Sequence, residues 1–328
     1  MGVSMELDGI VKAIREFPGI TRKKTIQDVV RFLPTDTFAN VYASEGEDAA
    51  AIEFGDSYLL FAADGIMESL LKTNPYYAGY FAVLVNVNDI AAMGGKALAM
   101  VDVISVKDDK ICSQMLKGME RAVKKFNVPI VGGHTHPDCM YHAIDISIIG
   151  SVPKDQVILS STAVDGDDIV FVIDTDGFYP PDLEYAWDTT TNKDDKIVQD
   201  QMDAMCTVAS EKLAHAAKDM SNPGSVGTMG MLLETSSMGG CIDIDLIPKP
   251  EGVDMIQWLL SYQGCGFAFS CAPENSQCII DIFSEVGCEG AVVGKVDSSR
   301  ILRIKSGDEE KVLFDFNKDI ITGCRPKE

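Results

Sequence analysis

The residues most able to do chemistry are carboxylates set at the ends of apolar runs. Four short motifs carry them: Gly46-Glu47-Asp48-Ala49-Ala50, Ala63-Asp64-Gly65, Asn88-Asp89-Ile90-Ala91-Ala92-Met93-Gly94-Gly95, and Lys218-Asp219-Met220-Ser221-Asn222-Pro223-Gly224. A single aspartate at a strand end is ordinarily a turn or helix-cap residue, so each motif alone has that plain explanation. Their combination points further. Mg2+ takes hard oxygen ligands in an octahedron and commonly links one or two carboxylates to nucleotide phosphates, so several separated aspartates beside small residues match a site for Mg2+ and ATP. Glycine next to them lets phosphate approach backbone N–H groups. Asp48, Asp64, Asp89 and Asp219 are the candidate metal ligands.

Other polar clusters leave alternatives open. Three of the four histidines, His134, His136 and His142, fall within nine residues, with Asp138 among them. If 134–136 is extended, the first two point the same way and could chelate a transition metal. Neutral imidazole could equally donate to phosphate or act as a general base near pH 7, or the histidines could be hydrogen-bonded structural groups. Arg22, Lys23 and Lys24 form a tight basic triplet, read either as a solvated loop or as a segment that closes over triphosphate, with Lys24 taken as a cofactor contact. The polar stretch Trp187-Asp188-Thr189-Thr190-Thr191-Asn192-Lys193 is expected to be a substrate-side loop, with a helix cap as the alternative. Ser221-Asn222-Pro223-Gly224 opens a helix whose free N–H groups suit an anion.

These groups need a framework. The chain has 328 residues, 46% of them hydrophobic, enough for a large core and more than one such core usually holds, so two lobes are expected. Ile10, Val11, Ile14 and Phe17 recur at helical spacing before Pro18-Gly19. Strand-like 57–64, a helix over about 76–93, strand 98–106, a helix through Cys112, Met115, Met119 and Phe126, and two further strands read as βαβαββ. After a turn-rich boundary a second mixed series follows: strand DIVFVID, a long helix over about 194–217, a Gly-rich helix start near 222, strand CIDIDLI, helix 253–261, strand CGFAFSC, helix 273–286, and strands near 290 and over 301–316. The expected division is an N-terminal helix and basic segment over 1–37, a first domain over 38–155 and a second over 156–328.

Charge and composition exclude some partners. A net charge of −22 would repel nucleic acid and the anionic inner leaflet, whereas a bound divalent cation can invert the sign locally and admit a nucleotide. The longest apolar stretch, 76–95, is broken by Asn86, Asn88 and Asp89, which argues against a membrane span, and the acidic N-terminus lacks the pattern of an export signal. A cytoplasmic location is expected. Nine cysteines occur without a C-x-x-C pair, and Cys265, Cys271, Cys278 and Cys288 read as buried thiols, a metal site being the alternative.

Taken in order, GEDAA, ADG, VNDIAAMGG, VGGHT and KDMSNPG resemble the ATP-dependent superfamily of aminoimidazole ribonucleotide (AIR) synthetase, thiamine-monophosphate kinase, selenophosphate synthetase and the hydrogenase maturation protein HypE. FPGITRKKTIQDVV, VGGHTHPD, WDTTTNKD, DMSNPGSVGTMGMLLE and FDFNKDIITG look most like its methanogenesis marker protein 2 group. The resemblance implies an α+β, two-lobed PurM-like fold whose first lobe pairs with a second subunit in a barrel, with ATP and Mg2+ held across the dimer cleft. It implies metal-binding roles for Asp48, Asp64, Asp89 and Asp219, and cofactor contacts from Asn88, Gly132 and Gly133. The kinase's G-G-D-T reads Gly132-Gly133-His134-Thr135 here, and the second Asp of its D-x-S-D reads Asn222. Asp219, His134 and Asn222 are the residues expected at the reacting phosphate. The function expected is phosphate transfer from ATP to an oxygen of a small co-substrate by a homodimer. The alternatives are a nucleotide-binding assembly or regulatory factor without turnover, and a transition-metal hydrolase at His134, His136 and His142.

Overall fold

Alternating apolar residues and helical stripes build two mixed sheets, the first covered by helices on one face and the second on both. The computed structural model describes residues 3–33, 38–262 and 264–325; the division expected at residue 37 lies outside them. The chain opens with helix α1 (Val3–Glu16), a short turn of helix α2 (Pro18–Thr21), a 3-10 turn over Arg22–Lys24 and helix α3 (Thr25–Phe32). The first sheet follows, with β1 (Val41–Ala43), β2 (Ala50–Phe54), β3 (Ser57–Gly65), β4 (Lys96–Ser105), β5 (Ile130–Thr135) and β6 (Ala143–Pro153) in the order β1-β2-β3-β6-β4-β5. Helices α4 (Glu68–Thr73) and α5 (Pro75–Ala92) link β3 to β4, and α6 (Asp109–Phe126) links β4 to the parallel strand β5. From β3 onward this is the expected βαβαββ order, preceded by β1 and β2.

The second sheet runs β13-β12-β9-β11-β7-β10-β8. Its strands are β7 (Asp168–Ile173), β8 (Ala216–Asp219), β9 (Gly239–Asp243), β10 (Gly266–Cys271), β11 (Glu289–Asp297), β12 (Ile301–Ser306) and β13 (Glu309–Asp315). Helices α7 (Asp195–Ser210), α8 (Gly224–Thr235), α9 (Met255–Leu259) and α10 (Ser276–Ser284) pack around it. The long helix expected to reach residue 217 ends at Ser210, and Ala216–Asp219 is a strand paired with β10. Lys212, at φ 57°, breaks the helix and leaves room for that short strand.

Helix α5 is the spine of the first lobe. Pro75 sits in its first turn, where its missing N–H costs nothing, and 13 of its 18 residues are buried, because the helix lies on the sheet on one side and under α6 and the second lobe on the other. The α5–α6 approach depends on glycine: a Cβ on Gly79 would lie 2.0 Å from the Met115 carbonyl oxygen, and one on Gly118 would lie 1.9 Å from that of Tyr76. The helix thus delivers its last turn, with Asn88 and Asp89, to the seam between the lobes.

The N-terminal helix belongs to the second core. Leu7, Ile10 and Ile14 are buried there, each contributing about 1.5–3 kcal/mol relative to exposure. The Arg15 guanidinium donates to Asp319 at 2.8 and 3.0 Å and to the Leu313 carbonyl at 2.6 Å. This anchor places residues 18–33 over the seam. Among the described residues no helix is long and apolar enough to cross a membrane.

Candidate functional site

Four separate elements end at one cavity of about 440 Å3 between the lobes. Asp48 precedes β2, Asp64 lies near the end of β3, Asp89 is in the last turn of α5, and Asp219 ends β8. Asp48, Asp89 and Asp219 each bring one carboxylate oxygen within 4.8 Å of the others. Among the described residues no other group of three His, Cys, Asp or Glu side chains comes so close. Asp64 also lines the cavity, at its Lys23 side, outside this trio. Gly46 shapes the approach to Asp48: its φ is +85°, and a Cβ there would stand 2.8 Å from that of Cys324 and 2.9 Å from the Thr235 methyl. The C-terminal segment that brings Thr322 and Cys324 to the cavity wall is fixed by the buried Glu234 carboxylate, which accepts from the N–H groups of Ile321, Thr322 and Gly323 and the Thr322 hydroxyl at 2.7–3.3 Å.

The electrostatics follow from burial of like charges. Asp219 is pushed up to about 8, by burial first and then by Asp48, with Lys218 opposing. Burial, then Asp219, Asp64 and Asp48, hold Asp89 well above the ordinary carboxylate range. Asp64 is raised by burial against the pull of Lys23 and Arg22. Lys23 is lowered, chiefly by burial, while Asp64 works the other way. Lys218 keeps its charge: burial lowers its pKa, but the Asp48 carboxylate outweighs that and the net shift is upward. Crowded carboxylates held partly protonated are the state that a divalent cation relieves. The donor set fits Mg2+, being made of hard carboxylate oxygens, and Asp48 Oδ2 is a buried oxygen without a hydrogen-bond partner.

Lys218 was not weighed in the sequence reading, although it sits beside Asp219. Its ammonium bonds to Asp48 Oδ1 and donates to the Gly46 carbonyl at 3.1 Å. The available signal was a lone lysine in the apolar run Ala216-Ala217-Lys218, since a buried ammonium must be paired.

Several expected residues fall elsewhere. Lys24 is exposed and outside the cavity, and Arg22 and Lys23 line it instead, because a 3-10 turn rotates about 120° per residue and sends neighbours in different directions. Asn88 and Asn222 line the cavity, and the Asn88 amide donates to the Gly264 carbonyl at 3.3 Å. Gly132, Gly133 and His134 do not line it: they lie exposed on β5, the edge strand of the first sheet. His134 and His136 do share a side, with ring centroids 4.6 Å apart, but among the described residues no third ligand joins them. His142 is held apart, its N–H donating to Glu68 at 3.0 Å, so the three histidines form no metal centre within the chain. In the Trp187–Lys193 loop Asp188 and the threonines pair with one another, while Trp187 lines a small pocket that shares Met220 and Tyr262 with the main cavity. Asp188 Oδ1 accepts from the N–H groups of Thr190 and Thr191 at 2.9 and 3.0 Å, and the buried Tyr80 hydroxyl donates to Thr190 at 2.9 Å. The cysteines are free thiols; Cys265 and Cys288 are buried with their sulfurs 3.8 Å apart.

Residues 46–152 match the family described as AIR synthase related protein, N-terminal domain, and residues 181–306 match its C-terminal domain counterpart. The uncharacterized protein MJ0640 of Methanocaldococcus jannaschii is 47% identical over 324 residues, which is 98% of this chain and 100% of the relative. Among solved structures, T. maritima PurL complexed with FGAR superposes with a TM-score of 0.75 at 18% identity, over 98% of this chain and 54% of that one. The chain thus spans about half the length of that protein. AaThiL complexed with AMPPCP and TMP gives a TM-score of 0.66 at 18% identity, over 88% and 95% of the two chains. The shared fold is the two-lobed PurM-like α+β architecture.

Proposed function

Because this chain belongs to the AIR synthase related family in both its N-terminal and C-terminal domains, we propose that it is a Mg2+-dependent enzyme that transfers phosphate from ATP to an oxygen of a small metabolite or cofactor precursor. The family's members are ATP-dependent enzymes, and solved relatives are complexed with ADP, ATP and AMPPCP. One observation carries the reading to this chain: the convergence of Asp48, Asp89 and Asp219 in a cavity large enough for a nucleotide. The finer grouping with methanogenesis marker protein 2 rests on the motifs already quoted.

In this reading Asp48, Asp89 and Asp219 would hold Mg2+, which when bound neutralises charge on the transferring phosphate. The remaining work falls to the protein. Lys23 and Arg22 reach over the cavity from the N-terminal segment and supply cations on its phosphate side. Gly19 packs against the Asn222 carbonyl, which holds that segment to the turn opening α8. Asn222 offers a neutral amide on the cavity wall, where an acid would repel phosphate. Catalysis of this kind is mostly positioning and charge neutralisation, so loss of one carboxylate should cost orders of magnitude while leaving the fold intact.

We also propose a homodimer. Phe61, Val101, Val103 and Ile149 stand on the face of the first sheet turned away from α5 and α6, each 39–48% exposed, and a second copy would bury them. Gly132, Gly133 and His134 lie at the edge of that same sheet, so any role for them in catalysis depends on such pairing. A nucleotide-binding factor without turnover is the second reading, favoured by Asn222 in the cavity in place of an acid. Calorimetric titration with Mg-AMPPCP tests the binding: the wild type should bind, and folded Asp89→Ala should lose at least about tenfold in affinity. Equal affinity in the two proteins would remove Asp89 from the site.

A further inference from the structure

The cavity contains a built-in cation. Lys218 and Asp48 are both deeply buried, with side chains 6% and 8% exposed, and they are joined through Asp48 Oδ1. The other oxygen, Asp48 Oδ2, is buried and has no partner. Asp48 belongs at the same time to the trio whose oxygens converge within 4.8 Å. One carboxylate therefore has an ammonium on one oxygen and an open coordination position on the other. That is the arrangement of a bridging carboxylate in a two-metal site, with one of the two ions replaced by Lys218.

We infer that the Lys218 ammonium takes the place of a second divalent cation, so that each chain holds a single Mg2+ on Asp48, Asp89 and Asp219. This inference rests on the metal site of the proposed function and specifies how it is loaded. The ionisable groups acting on Asp89 and Asp219 are Asp48, Asp64, Lys218 and Lys23. Lys218 is the cation seated directly on the trio, whereas Lys23 and Arg22 stand on the Asp64 side of the cavity. The Gly46 carbonyl, 3.1 Å from Nζ, fixes the ammonium from a second side, so Lys218 is held in position rather than swinging freely. An ammonium neutralises charge but accepts no lone pair; Lys218 therefore positions Asp48 and stabilises anionic oxygen, and Lewis-acid work is left to one ion.

The test counts metal. Metal-free full-length protein is titrated with Mn2+ and the bound ion is measured by electron paramagnetic resonance, with and without AMPPNP, in the wild type, Lys218→Arg and Lys218→Met. The expected result is one ion per chain for the wild type and Lys218→Arg. In Lys218→Met a second ion should bind, and the first should bind about tenfold tighter because a competing charge has gone. Two ions in the wild type, or an unchanged count and affinity in folded Lys218→Met, would overturn the inference. Should Lys218→Met not fold, Lys218→Gln and the wild-type count decide it in the same way. One tightly held ion with no AMPPNP binding would refute the nucleotide reading and leave this one standing.

Discussion

Metal binding at the carboxylate trio should release protons, by an amount set by the burial of Asp219. With its carboxyl at about 8, Asp219 is roughly 90% protonated at pH 7. A cation that binds the ionised form must first displace that proton, so about 0.9 proton should leave from this group alone at pH 7. Asp89 is also held well above its ordinary range and adds to the release. The ionised fraction of Asp219 falls steeply between pH 8 and pH 6, and that of Asp89 falls with it, so the apparent Mg2+ affinity should drop by more than about tenfold over that interval. Calorimetry of Mg2+ with metal-free protein, repeated in buffers of different ionisation enthalpy, measures the protons directly. Asp219→Asn should weaken binding and reduce its pH dependence together, leaving the part that Asp89 contributes. Release near zero at pH 7, with an affinity that does not change between pH 6 and 8, would refute the electrostatic account of the site.

Stability of the metal-free protein should move the opposite way with pH. Asp219 has a folded pKa above its unfolded value, so the native state binds more protons between about 4 and 8, and stability should fall as pH rises through that window, at up to ~1.4 kcal/mol per unit. Urea denaturation at pH 5, 6.5 and 8 reads the slope; saturating Mg2+ should flatten it, and a rise in metal-free stability towards pH 8 would contradict the assignment. On the outer face of the first sheet, the paired substitution Val101→Asp with Val103→Asp should convert a two-chain particle into a single folded chain in light scattering, because charge cannot be buried there unpaired. A wild-type protein that is already one chain at micromolar concentration would remove the homodimer.

Most of the framework was legible because the apolar periods are long and consistent. Helix α5 carries 18 residues from Pro75 and β6 alternates over 11, so tertiary packing had little to override. Short elements were not legible. β1 has three residues and β8 four, and a run such as Ala216-Ala217 holds no period that separates a strand from the tail of the preceding helix. Pairing with β10 on one side, and the bridge to Leu159 on the other, makes Ala216–Asp219 a strand, and both pairings are non-local. The pairing inside the Trp187–Thr191 loop was hidden for a related reason. Its polar, Thr-rich composition suggested a substrate-side loop, and sequence alone does not separate side chains that await a ligand from those that satisfy one another inside the protein, as Asp188 and the threonines do.

For the site, the carboxylates were legible and the cations were not. Asp48, Asp89 and Asp219 announce themselves by sitting beside small residues at element ends, a local pattern that survives without knowledge of the fold. Which lysine faces the cavity depends instead on the phase of a three-residue turn, and that phase is fixed by Gly19 and Ile20 docking against Asn222 and Gly227 some 200 residues away. The sequence marked the triplet; the docking chose Lys23 over Lys24. Under the proposed function, the same reasoning explains how a chain of net charge −22 would accept a phosphate ligand. Its acids are spread over the whole exterior, where an ionic strength near physiological screens them within ~8 Å, while Lys23 and Lys218 face a cavity shielded by protein on most sides. Local placement of two ammonium groups therefore outweighs the overall balance. Substituting Lys23 should accordingly harm nucleotide binding far more than substituting Lys24, although the two are adjacent in the chain and equal in charge.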